Sequence, residues 1–190
     1  MLDLSVKVSK EMVDNAFANE KMVAFGHLGT HFDSMDKEFP FEFTRRKGIV
    51  LEASGSAERD IELPGELLSE VREGDFAIFH TGFIDRVEYG SKEYFKNHPQ
   101  LSYACIQALL NKKVSMIGID CAGIRRGEEH LPTDQRCADQ GVFVVENLCH
   151  LEKILLGKPF ARCTVYTFPL HFEGMSGLPA RVAAELLPSV

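Results

Sequence analysis

The chain has 190 residues, of which 45% are hydrophobic and 26% are charged, and this composition is typical of one soluble globular domain, here residues 1–190. The net charge of −7 argues against a surface that binds nucleic acid or an anionic membrane. No stretch reaches the roughly 20 apolar residues of a membrane-spanning helix, and the first residues lack the basic and apolar segments of a secretory signal, so we expect a cytoplasmic protein.

Short runs rich in Val, Ile and Phe predict the strands. Two of these runs, residues 114–119 and 142–145, are almost continuously apolar, which indicates strands covered on both faces. In chain order, the predicted strands are residues 4–8, 22–25, 48–52, 76–79, 114–119, 142–145 and 162–168.

Helical patterns lie between these runs. Residues 64–71 begin with a proline near the first helical position, and Ser102 is a candidate N-cap for a helix that runs to residue 110. Asn147 is a candidate N-cap for residues 148–155. Strands alternating with a few helices predict an α/β or α+β fold. The five cysteines are odd in number and widely spaced, so we expect buried free thiols rather than disulfides.

Residues 27–33, read as His-Leu-Gly-Thr-His-Phe-Asp, contain two imidazoles and one carboxylate. This mixture suits a divalent ion such as zinc, manganese or iron. A helix would direct Asp33 away from the two histidines, and a straight strand would separate His27 from His31 by roughly 13 Å. A bend at Gly29 would gather all three donors, and the hydroxyl of Thr30 could hold that bend by bonding to nearby backbone. The alternative is that these are ordinary polar loop residues.

Three further polar residues are candidates. Glu146 ends an apolar strand and either faces a pocket or caps the following helix, where an anion is favoured. His130 follows Gly127 and two glutamates and is a catalytic base, a metal ligand or a surface histidine. His80 follows the strand at 76–79 and is a candidate for substrate contact, with a structural histidine as the alternative.

The 27–33 segment resembles the signature of the cyclase family of metal-dependent hydrolases, His-x-Gly-Thr-His-x-Asp-x-Pro-x-His. This family includes the bacterial kynurenine formamidases and isatin hydrolases. Other segments resemble family motifs in the same order along most of the chain. They are Asp-Leu-Ser at 3–5, His-Thr-Gly-Phe at 80–83, Tyr-Phe at 94–95 with His-Pro at 98–99 and Leu-Ser at 101–102, Gly-Ile-Asp at 118–120, Glu-Asn-Leu at 146–148, and Pro-Leu at 169–170 with Pro-Ala-Arg at 179–181.

The chain departs from the family pattern at several positions. Met35 lies at the position of the signature's proline, and Lys37 lies at the position of its last histidine. The resemblance implies that this histidine acts as a general acid/base in the family. Lysine has an ordinary pKa near about 10.4, against about 6.5 for histidine, so it is not a simple substitute. Asp134 lies where the family has a further histidine, twelve residues before Glu146, and His80 lies where the family usually has arginine. We therefore expect a divergent member.

The resemblance implies a swivelling β/β/α-type cyclase fold, with mixed sheets and flanking helices. It also implies one or two divalent ions, zinc or manganese, held by five side chains. Glu146 and His130 are then the predicted proton carriers, and the predicted reaction uses a metal-activated water on a small amide, lactam, formamide or ester, or runs the reverse cyclisation. The predicted ligands are His27, His31, Asp33, Asp134 and Glu146.

The predicted substrate contacts are His80, Phe32 and Phe83, because such pockets are mostly apolar with a few polar anchors. The aromatic residues at 39–43 either line the same pocket or bury at a subunit interface, and the resemblance implies a homodimer. The competing hypothesis is a metal- or ligand-binding protein without hydrolytic activity, because Lys37 and Asp134 replace two histidines. A third, an oligomeric scaffold, predicts no metal.

Overall fold

The structure is a computed structural model that describes residues 1–16, 26–56 and 60–187. The predicted strand at 22–25 lies outside the described residues. The strands of the described part are β1 Leu2–Asp3, β2 His31–Asp33, β3 Arg45–Glu52, β4 Phe76–His80, β5 Met116–Ile119, β6 Phe143–Glu146, β7 Phe160–Pro169 and β8 Gly177–Leu186.

Seven of the strands form a closed ring. The order is β1-β8-β2-β6-β5-β4-β3-β7, and β7 also pairs with β8, so strands β2 to β8 close on themselves while β1 lies beside β8. Strands β3, β4, β5 and β6 run parallel to one another, and the other pairs are antiparallel. The predicted mixed α/β fold with flanking helices is confirmed, and seven of the eight described strands form one ring.

Two apolar cores lie on the two sides of this ring. One draws side chains from each of the seven strands, among them Phe32, Val50 and Val182, and fills the inside. The other packs alternate residues of β3 to β6 against helices on the outside, where Ile106 and Leu109 contribute. Because side chains alternate along a strand, each central strand serves both cores, which explains why β5 and β6 are buried throughout.

The helices are α1 Lys10–Ala16, α2 Gly65–Glu70, α3 Lys92–Asn97, α4 Tyr103–Asn111, α5 His130–Ala138 and α6 Glu152–Leu155. The predictions of α2 and α4 are confirmed, and the Ser102 side chain accepts a hydrogen bond from the Cys105 amide at 3.0 Å as an N-cap. None of the helices in the described ranges is long and apolar enough to cross a bilayer. All five cysteines are free and buried, as predicted.

Two predicted elements are wrong. Residues 4–8 do not form a strand, because β1 ends at Asp3 and the Val6 amide bonds instead to the Thr30 hydroxyl. The helix predicted at 148–155 shortens to α6. Asn147 does not cap it, because its backbone is left-handed (φ 57°) and its side chain bonds elsewhere.

The aromatic run at 39–43 is divided between core and surface. The rings of Phe39 and Phe43 pack edge-on against Phe143, with ring centres 5.4 and 6.1 Å away. Phe41 is 80% exposed. Two of the three rings therefore pack against the core, and the third lies at the surface.

Candidate functional site

The ligand-bearing segment bends at Gly29, as the sequence predicts. Gly29 has φ 74°, a left-handed conformation that glycine adopts without steric cost. Its amide donates to the Tyr89 hydroxyl at 2.7 Å, and its carbonyl accepts from Asn147 Nδ2 at 2.9 Å. The bend is therefore held from both sides by buried side chains.

The residues beside the bend bond to the end of β6. The Thr30 hydroxyl donates to the Asn147 carbonyl at 2.7 Å, which confirms the predicted hydroxyl–backbone bond. Tyr94 Oη donates to Asn147 Oδ1 at 2.8 Å. Asn147, which directly follows Glu146, thus joins the ligand loop to the end of β6 and fixes the separation of these two segments.

His27, His31 and Asp33 converge. His31 and Asp33 point to the same side of β2 because they are two residues apart on one strand. His27 Nδ1 lies 3.1 Å from His31 Nε2 and 3.1 Å from Asp33 Oδ1, while His31 Nε2 lies 3.6 Å from Asp33 Oδ1. The remaining ring nitrogens are bound elsewhere, His31 Nδ1 to the Gly29 carbonyl at 2.9 Å and His27 Nε2 to Ser176 Oγ at 3.0 Å. These contacts direct His27 Nδ1 and His31 Nε2 towards Asp33.

Glu146 reaches the same place from the neighbouring strand. It is the register partner of His31 in the antiparallel β2–β6 pair. Its Oε2 lies 3.5 Å from His31 Nε2. The side chain is buried, and it faces the three donors of the β2 segment rather than capping a helix.

Helix α5 supplies the other two side chains. His130 and Asp134 are one helical turn apart and share a face. His130 Nε2 lies 3.0 Å from Asp134 Oδ2 and 3.3 Å from Glu146 Oε1. No helix is predicted from the sequence over residues 127–140. The structure has instead a 3₁₀ turn at Gly127–Glu129 that leads directly into α5.

These side chains form two groups of donors that share Asp33. The first contains His27, His31 and Asp33, and the second contains Asp33, His130, Asp134 and Glu146; within each group the donor atoms lie within 4.8 Å of one another. The structure therefore brings together all five predicted ligands and His130.

The buried carboxylates fit a divalent cation. Asp33 and Asp134 are each 1% exposed and Glu146 is 4% exposed. Both oxygens of Asp33, both of Asp134 and Oε1 of Glu146 lack an aligned hydrogen-bond donor, although histidine nitrogens lie close to them. Burying an anion without a partner is costly, and buried charges are normally paired or coordinate metals. Carboxylate and imidazole together are a common donor set for zinc and manganese, so the residues present fit such an ion.

The pKa values express the same crowding of charge. Burial alone would lower the pKa of both His31 and His130. The facing carboxylates outweigh it and raise the pKa of His31 to about 9 and that of His130 to about 10. Burial raises the pKa of Asp134 to about 6 and raises that of Glu146 well above its usual range. Burial would also raise the pKa of Asp33, but His27 and His31 hold it far below its usual range.

The predicted substrate contacts have different outcomes. Phe32 is a wrong prediction, because its ring is fully buried on the opposite side of β2 from His31 and packs against Phe39 in the inner core. Phe83 is 8% exposed and packs against Tyr94. His80 bonds through Nδ1 to Glu52 Oε2 at 2.9 Å and belongs to neither donor group of the centre.

Lys37 is held away from the donors. Its ammonium pairs with Asp36 Oδ1 at 3.0 Å and with Asp139 Oδ1 at 2.9 Å, near the end of α5. It links the segment after Asp33 to the helix that carries Asp134. His130 is the residue that lies among the carboxylates.

Sequence reasoning missed Ser176, Tyr89 and the bonding role of Asn147. Ser176 is 149 residues from its partner His27, so no local pattern relates them. The Asn147 role had one signal, since asparagine is among the few residues that tolerate a left-handed backbone.

Three solved structures are similar to the chain. One is described as a potential metal-dependent hydrolase with cyclase activity, with a TM-score of 0.70, 21% identity and 96% of each chain covered. Another, from Bacillus stearothermophilus, is described as a "predicted metal-dependent hydrolase", with a TM-score of 0.68, 19% identity and 96% of each chain covered. Isatin hydrolase A from Labrenzia aggregata, bound to benzyl benzoate, has a TM-score of 0.67 and 20% identity over 83% of this chain and 72% of that one. At these identities the likeness shows a shared fold.

A comparison with curated proteins finds no match. The model of the Cyclase family, described as "Putative cyclase", matches residues 2–125, which is well over half of the chain. This match covers the whole β2 ligand segment and strands β1 to β5. The recognition made from the sequence motifs is confirmed, and the chain belongs to the Cyclase family.

Proposed function

We propose that this protein is a metal-dependent hydrolase that acts on a small amide, lactam, formamide or ester, or that catalyses the reverse cyclisation. The observation that carries the proposal is the convergence of three buried carboxylates, without aligned donors, on three histidines. A purely structural cluster of this kind would cost stability without a cation. Its presence in a chain of the Cyclase family supports a catalytic centre.

His27, His31 and Asp33 would hold the ion, which we propose to be zinc or manganese. When bound, such an ion lowers the pKa of a coordinated water from 15.7 towards about 7 and polarises a carbonyl oxygen. The Gly29 carbonyl accepts from His31 Nδ1 and so keeps Nε2 of that imidazole free to face Asp33, and Ser176 Oγ orients the His27 ring through Nε2. Fixing ligands in this way is the usual duty of outer partners in metal sites.

His130 is the proposed proton carrier. Its side chain is 26% exposed, whereas those of Asp134 and Glu146 are 5% exposed or less. Hydrolysis of an amide adds water across the C–N bond, and the departing nitrogen needs a proton. His130 is placed to deliver it, and Glu146 Oε1 orients the imidazole from 3.3 Å.

The substrate is proposed to bind at the carboxyl ends of the parallel strands. His80 ends β4 and Glu146 ends β6 in the same parallel set, and ligands of closed α/β barrels, like those of open α/β sheets, commonly bind at the carboxyl ends of the parallel strands. The Thr81 and Gly82 amides donate to the Asp120 carboxylate, which fixes the segment after His80. His80 and Phe83 are therefore kept as proposed substrate contacts.

The competing proposal is a metal-binding protein that catalyses no hydrolysis. It is favoured by Lys37, which replaces the acid/base histidine of the family pattern and is held away from the donors. Metal content and turnover together distinguish the two. We expect purified protein to hold zinc or manganese and to hydrolyse at least one member of a panel of amides, lactams, formamides and esters. Stoichiometric metal without turnover on the whole panel would support the binding protein instead.

The matched variants are His31→Ala and His171→Ala. His31 lies in the first donor group, whereas His171 is an exposed histidine of the segment between β7 and β8. We expect His31→Ala to lose bound metal and hydrolysis together, with a far-ultraviolet circular dichroism spectrum like that of the unchanged protein. His171→Ala should keep both. If His31→Ala folds and keeps its metal, the proposed centre is wrong.

A further inference from the structure

The two donor groups that share Asp33 differ in chemistry. The first offers two imidazole nitrogens and one carboxylate. The second offers three carboxylates, from Asp33, Asp134 and Glu146, and at most one imidazole, from His130. Carboxylate-rich sites suit harder ions such as manganese and magnesium, while imidazole suits zinc.

We propose that Asp134, which lies where the family pattern has a histidine, makes the Asp33–Asp134–Glu146 subsite select a harder ion than the His27–His31–Asp33 subsite, so that the loaded centre holds one zinc and one manganese. The inference rests on the proposed metal centre and adds to it a different occupant for each half.

The hydrogen bonding of the second group supports a cation of its own. Both oxygens of Asp134 are buried and lack an aligned donor, and so does Oε1 of Glu146. An ion held only by His27, His31 and Asp33 would leave the Asp134 carboxylate, on another element, without compensation. The nearby imidazole of His130 is the partner that remains, and it faces two carboxylates at once.

The difference in charge points the same way. With neutral imidazoles the first group carries the single charge of Asp33, whereas the second carries three carboxylate charges when the shared residue is counted. Zinc binds most ligand sets more tightly than manganese, so the inference concerns relative selectivity. We expect the zinc-over-manganese preference of the second subsite to be lower than that of the first by at least about 10-fold.

The test is a manganese titration of protein preloaded with one equivalent of zinc. Free aqueous manganese is counted by its electron paramagnetic resonance signal, and zinc is counted by elemental analysis after gel filtration. We expect one manganese per chain to bind while the zinc stays. Displacement of the zinc by manganese, or retention of the zinc with no manganese uptake, would overturn the inference.

Two substitutions of Asp134 sharpen the test. Asp134→Asn preserves side-chain volume and should weaken manganese binding by at least about 10-fold with little change in zinc at the first subsite. Asp134→His exchanges an oxygen donor for a nitrogen donor and should admit a second zinc in place of manganese. Unchanged manganese affinity in both folded variants would contradict the assignment.

The control is Asp139→Asn, because Asp139 is an exposed aspartate at the end of the same helix and pairs with Lys37. It should leave both metal counts unchanged. The readout is independent of turnover, so the two proposals fail separately. Zinc and manganese bound together without hydrolysis would refute the hydrolase, and hydrolysis with zinc alone would refute the second subsite.

Discussion

The two halves of the proposed metal centre are stabilised in different ways. The β2 half consists of residues 27–33, and buried hydrogen bonds from Tyr89, Asn147 and Ser176 hold it in place. The second half joins α5 to the end of β6, and both Asp134 oxygens and Oε1 of Glu146 have no aligned donors. The first half is preorganised by the fold, whereas the second depends on protons or a cation to balance its charge.

The largest effect is expected at the residue that the two halves share. Asp33→Asn removes the one carboxylate that belongs to both donor groups. We expect metal affinity to fall at both positions by more than the about 10–100-fold typical of losing an outer partner, and hydrolysis to fall with it. Isothermal titration with zinc and with manganese measures both affinities. Loss of one metal only would show that Asp33 is not shared.

The next effect is expected from an outer partner of the β2 half. Asn147→Gly keeps the left-handed backbone accessible and removes the bonds to Tyr94 and Gly29. We expect zinc affinity to fall by about 10–100-fold with the second half less affected. Tyr103→Phe is a control, since Tyr103 lies on α4 and belongs to neither donor group. Equal losses at both halves would contradict separate support of the two.

A pH dependence of the metal-free protein should report on the balance of charge in both halves. The pKa values of His31, about 9, and His130, about 10, lie above the ordinary 6.5. The folded protein therefore binds extra protons, and the stability they contribute is complete below pH 6.5 and lost as the pH rises through 9 to 10. The pKa of Asp134, about 6 against the ordinary 3.8, is also raised, and the stability that this contributes is lost as the pH rises from 3.8 through 6.

We accordingly expect the melting temperature in excess chelator to fall by at least about 5 °C between pH 6.5 and pH 9.5. Differential scanning fluorimetry measures it. In saturating metal the fall should disappear, because binding replaces those protons. A melting temperature that is flat or rising in chelator would contradict the charge balance described above.

The smallest effect is expected at Lys37, which lies outside both halves. Its ammonium is partly exposed, and exposed ion pairs contribute little. We expect Lys37→Ala to change kcat/KM by less than about threefold. Lys37→His should be equally mild, because the side chain at this position points to Asp36 and Asp139 and not to the carboxylates of the two donor groups. A large gain of activity in Lys37→His would show that this segment closes over the centre.

The first half of the centre could be predicted from the sequence because it is local. Its donors lie within seven residues, and Gly29 marks the required bend. Three-residue β2 itself was not predicted, since so short a strand exists only through its pairing with β6 and β8.

The second half could not be predicted from local patterns in the same way. Residues 130–138 are polar and contain Pro132, which reads as a loop, although proline is tolerated in the first turn of a helix. Thr133, Asp134, Cys137 and Ala138 are the buried residues of α5, a helical spacing that its few apolar residues conceal. Asp134 was identified only by its distance from Glu146 in the family pattern.

Strand β8 was missed for a related reason. It contains Pro179 and three alanines, which are weak strand formers. Its pairing with β7, β2 and β1 decides its conformation, and the pairings with β2 and β1 are long-range.

Ring closure also bears on aggregation through strand edges. Of the strands in residues 1–16, 26–56 and 60–187, β1 alone has a single neighbour, and it is two residues long. An unpaired strand edge is a template on which further chains add and aggregate. The described sheet thus presents almost no such template, so the protein tolerates ten-residue strands without inviting fibrous growth.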